Sequence, residues 1–119
     1  MIFMTGATGF VGRALVSELL TKDCQIKALV RKTSGLPVEV EQVVVDLGEI
    51  EGAKKSVFGG VDVVVHAAAR VHMMQDRSAN PLTEFRKLNR DATLALAGLA
   101  AGAGVKRFVF LSSIKVAML

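Results

Sequence analysis

The chain of 119 residues has no tryptophan, no tyrosine, a single cysteine (Cys24) and two prolines. One cysteine cannot close an intrachain bridge, so a disulfide-stapled scaffold is excluded. Without tyrosine, no phenol is present to move a proton. No apolar run approaches the ~20 residues that a membrane-crossing helix requires. No basic-then-apolar leader opens the chain. These absences point to a cytoplasmic location and no membrane contact. Acidic residues are also in deficit, 11 against 15 Lys and Arg, for a net charge of +4. The cations stand in ones and twos (Arg31-Lys32, Lys54-Lys55, Lys106-Arg107). Nucleic-acid binding normally shows a basic stripe with stacking aromatics, so no nucleic-acid partner is expected. A small anionic ligand suits the same balance.

What is present is apolar mass. Hydrophobic residues make up 51% of the chain, mostly Val, Ala and Leu, as in buried parallel strands and closely packed helices. The length is that of one domain, 1–119, able to bury a core without a metal staple, and no metal site is expected. Short apolar runs at Met1–Thr5, Gln25–Val30, Gln42–Asp46, Val61–His66 and Lys106–Ser112 read as five strands. Between them, Val11, Leu15, Val16, Leu19 and Leu20 mark an amphipathic helix. Ile50, Ala53 and Val57 mark a second over Glu49–Phe58. A third starts at Asn80-Pro81, where proline suits the first helical position, and runs to about Ala101. The segment between the second and third strands contains Pro37 and reads as a loop. Strands alternating with helices imply a parallel sheet covered on both faces, with right-handed crossovers.

The densest motif is Thr5-Gly6-Ala7-Thr8-Gly9-Phe10-Val11-Gly12, with glycines at G-x-x-G-x-x-G spacing between a strand and a helix. Gly6 would make the sharp turn, Gly9 would let backbone approach a pyrophosphate, and Gly12 would let the helix pack close to the sheet. Thr8, Phe10 and Val11 line the same loop, and the pattern predicts a dinucleotide site. At the end of the second strand, where an NAD site usually has an acid on the ribose hydroxyls, stand Arg31 and Lys32. A guanidinium there can meet a 2′-phosphate, so NADP is preferred and NAD possible. Read plainly, Arg31 is otherwise a solvated loop cation.

These residues resemble the extended short-chain dehydrogenase/reductase family, which includes NAD(P)-dependent nucleotide-sugar epimerases and dehydratases. The resemblance covers the whole chain. Thr5–Gly12 is similar to the family's phosphate loop. Asp46-Leu47 resembles its acidic adenine contact. His66-Ala67-Ala68-Ala69 resembles the small-residue segment that passes close under the cofactor, with His66 read as a structural strand-end residue. Asn89 with Thr93 resembles an N-x-x-G-T element, Ala92 standing in place of the glycine. Leu111–Val116 resembles the segment with the catalytic Ser or Thr, a place taken by Ser113. The resemblance implies a three-layer α/β Rossmann fold with five parallel strands in order 3-2-1-4-5. It also implies a nucleotide-sugar substrate, within a group acting on UDP- or dTDP-linked 4-keto sugars for bacterial surface polysaccharides.

The family's general acid/base is the tyrosine of Tyr-x-x-x-Lys, which this chain lacks. The expectation is therefore a Rossmann unit truncated after strand five that binds cofactor without turnover. The alternatives are a non-catalytic NADP-sensing or interaction module and an NADPH reductase of a non-sugar carbonyl. An unpaired fifth strand with Phe108-Val109-Phe110-Leu111 in a row implies a homodimer or other self-association through that edge.

Overall fold

The computed structural model describes residues 1–33, 35–46, 49–50, 55–67 and 81–111, with residues 55 and 81–89 described by backbone alone. In chain order the elements are β1 (Ile2–Thr5), α1 (Phe10–Thr21), β2 (Ile26–Val30), β3 (Glu41–Val44), a 3-10 turn (Lys55–Phe58), β4 (Val63–His66), α2 (Pro81–Gly102) and β5 (Arg107–Phe110). The five strands form one sheet in the order β3-β2-β1-β4-β5. All four pairings are parallel, with Thr5 beside both Leu29 and His66. Architecture and strand order agree with the sequence reading. The strands are a residue or more shorter than the apolar runs that mark them.

The two-residue alternation of the strands sorts the core into two layers. Met4, Ile26, Ala28, Val30 and Val65 face α1 and pack with Val16 of that helix. Phe3, Leu29 and Val64 face the other way, onto Ala92, Leu96 and Ala100 of α2. Those three α2 residues recur every fourth position and so lie on one face. The two alanines keep that face thin around Leu96, which is fully buried. The crossover β1–α1–β2 steps one way along the sheet and β4–α2–β5 steps the other. Right-handed connections therefore put the helices on opposite faces.

Both helices end in the same hydrogen-bond pattern with different residues at its centre. After α2, Val105 N–H reaches Ala100 O at 3.0 Å and Gly104 N–H reaches Ala101 O at 3.1 Å, with Gly104 at φ 81°. After α1, Cys24 N–H reaches Leu19 O at 3.2 Å and Asp23 N–H reaches Leu20 O at 3.1 Å, with Asp23 at φ 56°. Aspartate is among the few non-glycine residues that tolerate this left-handed position.

The sequence differs from the structure at Glu49–Phe58. There the described residues lie in 3-10 turns rather than an α-helix. Gly52 inside the segment lowers helix propensity by about 1 kcal/mol relative to alanine. Ile50 and Phe58 are both buried in the α2-side core, Phe58 with its ring centroid 4.9 Å from that of Phe3. A polar tie completes the attachment. Lys27, on buried β2, sends its ammonium to Val57 O at 2.9 Å and to Glu41 Oε2 at 3.3 Å. Glu41 lies opposite Lys27 in the β2–β3 register, so the buried cation is paired and hydrogen-bonded, as burial of a charge demands. The β2–β3 connection carries no helix among the described residues, as Pro37 implied. None of the described helices is long and apolar enough to cross a membrane.

Candidate functional site

The strand order reverses between β1 and β4. In an open parallel sheet the chain leaves such neighbours toward opposite faces. A crevice is thereby left at their carboxyl ends, where ligands bind. The residues at that point are Thr5-Gly6 after β1 and His66-Ala67 after β4. Ala67 N–H still reaches Thr5 O, at 3.3 Å, so β1 and β4 stay paired up to this point.

On the α1 side the glycine loop is built from backbone. Gly6 lies at φ 72°, where a side chain would be strained. Gly9 N–H closes a turn onto Gly6 O at 3.1 Å, and Arg13 N–H begins α1 by bonding Gly9 O at 2.9 Å. Arg13 also donates from Nε to Thr8 O at 2.8 Å, so its side chain clasps the loop. At Gly12 an added Cβ would stand 1.8 Å from Gly6 O and 2.9 Å from Ala7 Cα. The third glycine thus lets α1 sit against the loop after β1, rather than against the sheet itself as the sequence suggested. Gly9 is different. A Cβ there meets only Gly6 O, at 3.4 Å, an ordinary contact. The surface of Gly9 is therefore bare toward solvent, as close backbone approach by a ligand requires.

The electrostatics suit an anion. The cap residue Gly9 has no side-chain bond to the helix, and the first turn contains no acid. The N–H groups of Phe10, Val11 and Gly12 have no carbonyl one turn back, and the helix dipole adds partial positive charge there. Phe10 is 94% exposed and Val11 56%, an apolar rim beside those donors.

On the α2 side the crevice floor is a buried polar bridge. His66 Nδ1 lies 2.6 Å from Thr5 Oγ1, and Nε2 lies 2.9 Å from Thr93 Oγ1 on α2. Phe110 stacks on the imidazole at 5.4 Å between centroids, with 21° between planes. With both nitrogens paired and the ring sealed from water, burial pushes the imidazolium pKa down from 6.5 to about 4. His66 is therefore neutral near pH 7, and structural as the sequence reading held. Its partners were missed. The only local signal was a threonine at the end of the first strand and another four residues after Asn89.

The remaining calls divide. Arg31 directly follows β2 and is exposed, and Asp46 lies just past β3, partly buried. Both stand at the carboxyl edge of the sheet with Gly6 and Ala67. Asn89 is on α2, one turn before Thr93, with its side chain outside the description. Leu47, Ala68, Ala69 and Ser113 lie outside the described residues. The donors, the bare glycine and the missing acid together fit a pyrophosphate-bridged dinucleotide.

Comparison with known proteins agrees. The family model described as "NAD dependent epimerase/dehydratase family" matches residues 2–117. The chain is 45% identical to a UDP-glucose 4-epimerase of Vibrio cholerae, over 97% of this chain and 35% of that protein. Among solved structures, a short-chain dehydrogenase/reductase superfamily protein from Agrobacterium tumefaciens with bound NAD is similar. It has a TM-score of 0.71 and 31% identity, over 95% of this chain and 32% of that one. MoeE5 in complex with UDP-glucuronic acid and NAD has a TM-score of 0.71 and 27% identity, over 94% of this chain and 36% of that one. This chain thus spans about a third of the length of each.

Two outcomes follow from the site's construction. Gly12→Ala should destabilise the fold by about 1–3 kcal/mol or more through overpacking, whereas Gly9→Ala should stay within about 0.5 kcal/mol of wild type. Chemical denaturation of both variants checks the contrast. The His66 pKa is depressed in the folded state, so the unfolded chain binds the proton first as pH falls. Stability should drop from about pH 6.5 toward about pH 4, by a total of about 3 kcal/mol from this group. His66→Gln should lose that part of the slope in urea titrations across the range.

Proposed function

Since this chain belongs to the NAD dependent epimerase/dehydratase family, we propose that it forms the dinucleotide-binding part of an enzyme that epimerises, dehydrates or reduces a nucleotide-linked sugar. The observation that carries this reading is the bare Gly9 surface beside the unpaired first-turn N–H groups of α1 at the β1/β4 switch point. It is supported by the 4-epimerase likeness and by the UDP-glucuronic acid and NAD held by a structural neighbour.

In this reading Gly6, Gly9 and Gly12 with Thr8, Phe10 and Val11 cradle the pyrophosphate. Asp46 and Leu47 meet the adenine. Ala67, Ala68 and Ala69 pass beneath the cofactor, Asn89 approaches from α2, and Ser113 orients the substrate oxygen. Bound NAD(P) supplies a hydride acceptor or donor for a sugar carbon. The chain's own residues bind and orient. The substrate is a UDP- or dTDP-linked 4-keto sugar of the kind used for bacterial surface polysaccharides.

NADP is the preferred cofactor in this proposal, because exposed Arg31 and Lys32 stand after β2 without an acid among them. A charge-assisted contact to a 2′-phosphate contributes about 1.5–3 kcal/mol, about tenfold or more in affinity. Titration calorimetry should therefore find tighter NADP than NAD, a preference lost in Arg31→Ala and all binding lost in Gly9→Val. Equal affinities in wild type would remove the NADP assignment, and no binding of either would remove the site.

Self-association is the further part of the proposal. Among the described residues β5 pairs only with β4, and it exposes Val109 by 41% and Phe110 by 51%. An unpaired apolar edge is a template for a second copy. Sedimentation equilibrium should show a dimer that Val109→Lys weakens. A monomer throughout the micromolar range would refute it.

A further inference from the structure

His66 has no part in the binding scheme above, yet both of its ring nitrogens are bonded within the core. It is fully buried, and Thr5 beside it is 1% exposed. Its two nitrogens join three elements: Thr5 at the end of β1, its own strand β4, and Thr93 on α2. A space-filler would not need both bonds. Val64, two residues earlier on the same face, fills its place with an aliphatic side chain and is equally buried. Two opposed hydrogen bonds, with Phe110 stacked on the ring face, leave the imidazole one orientation. A satisfied buried polar network of this kind gives direction where apolar packing gives only volume.

What this direction governs is the residue before the glycine loop. Thr5 is held by its hydroxyl from His66 and by its carbonyl oxygen from Ala67 N–H. The next residue, Gly6, takes φ 72° and starts the loop. Thr93 sits one helical turn beyond Asn89. We infer that His66 is a positioning residue: its imidazole sets the end of β1, and with it the Gly6–Gly12 loop, relative to the turn of α2 that carries Asn89 and Thr93. The two walls of the dinucleotide crevice are thereby held at one separation. The consequence for cofactor rests on the proposed function, but the positioning itself is measurable without ligand.

The two amide replacements of histidine separate the bonds. The asparagine amide falls near the position of Nδ1 and can keep the bond to Thr5. The longer glutamine amide falls near Nε2 and can keep the bond to Thr93. Native-state amide exchange in the ligand-free chain should be faster in His66→Gln at Gly9, Arg13 and Ala67. Those N–H groups close the loop and hold Thr5. In His66→Asn their exchange should remain near wild type. NAD(P) affinity by calorimetry should fall about five- to tenfold in each variant, the effect of one buried hydrogen bond, because either loss unlinks the two walls, while only His66→Gln loosens the loop itself. A purely structural role would make loop exchange follow global stability in both variants alike, and that result overturns the inference. So does unchanged loop exchange in His66→Gln. Should His66→Gln fail to fold, Thr5→Val removes the same bond while keeping the branched strand residue, and the same exchange pattern is required of it. If the wild-type chain binds no dinucleotide, the proposed function falls, while the exchange measurement still decides the role of His66.

Discussion

The absence of a Cβ at Gly12 is the constraint on which the functional end of the molecule depends. With 1.8 Å between that would-be atom and Gly6 O, no other residue lets α1 begin so close behind β1. The tight entry aims the first turn of the helix at the crevice between β1 and β4. It also lets Arg13 fold back on Thr8 O. A longer or wider turn would leave the same N–H groups pointing into solvent. The close approach thus turns a common strand–turn–helix connection into a place where an anion meets backbone donors and a helix dipole together.

The opposite wall of the crevice is made in another way. On the α1 side the backbone approaches because side chains are absent. On the α2 side, polar side chains are buried where apolar ones would ordinarily be. Burying a histidine and a threonine, beside the half-buried Thr93, costs free energy unless each polar atom finds a partner. Among the described residues every buried side-chain nitrogen and oxygen does. The imidazole is kept neutral by the same burial. Charging the imidazole in acid therefore works against the bonds of this floor.

The family assignment and the geometry bear on different parts of the question. Membership of the epimerase/dehydratase family rests on the sequence matched across residues 2–117. The geometry adds why these residues suit a dinucleotide: a bare glycine, donors without partners, and apolar Phe10 and Val11 exposed at the rim. Large apolar side chains this exposed beside a polar cradle are suited to cover by a ligand or by further protein. The chain spans about a third of the relatives' length.

While the order 3-2-1-4-5 came from the family resemblance, the apolar runs and amphipathic spacing were enough to predict five parallel strands alternating with helices, because period and connection handedness act locally. The glycine motif was legible for the same reason, since Gly6, Gly9 and Gly12 lie within one turn of chain. Which glycine faces protein and which faces ligand was not legible, for that depends on what stands opposite each missing Cβ. The turn at Lys55–Phe58 escaped because Ile50, Ala53 and Val57 carry helical spacing. Burial of Ile50 and Phe58 in one core and the reach of Lys27 to Val57 O outweigh that spacing. The His66 bridge escaped most completely. Its partners are 61 and 27 residues away in sequence, and only the pairing of β1 with β4 and the packing of α2 across them bring three isolated polar residues within hydrogen-bonding distance.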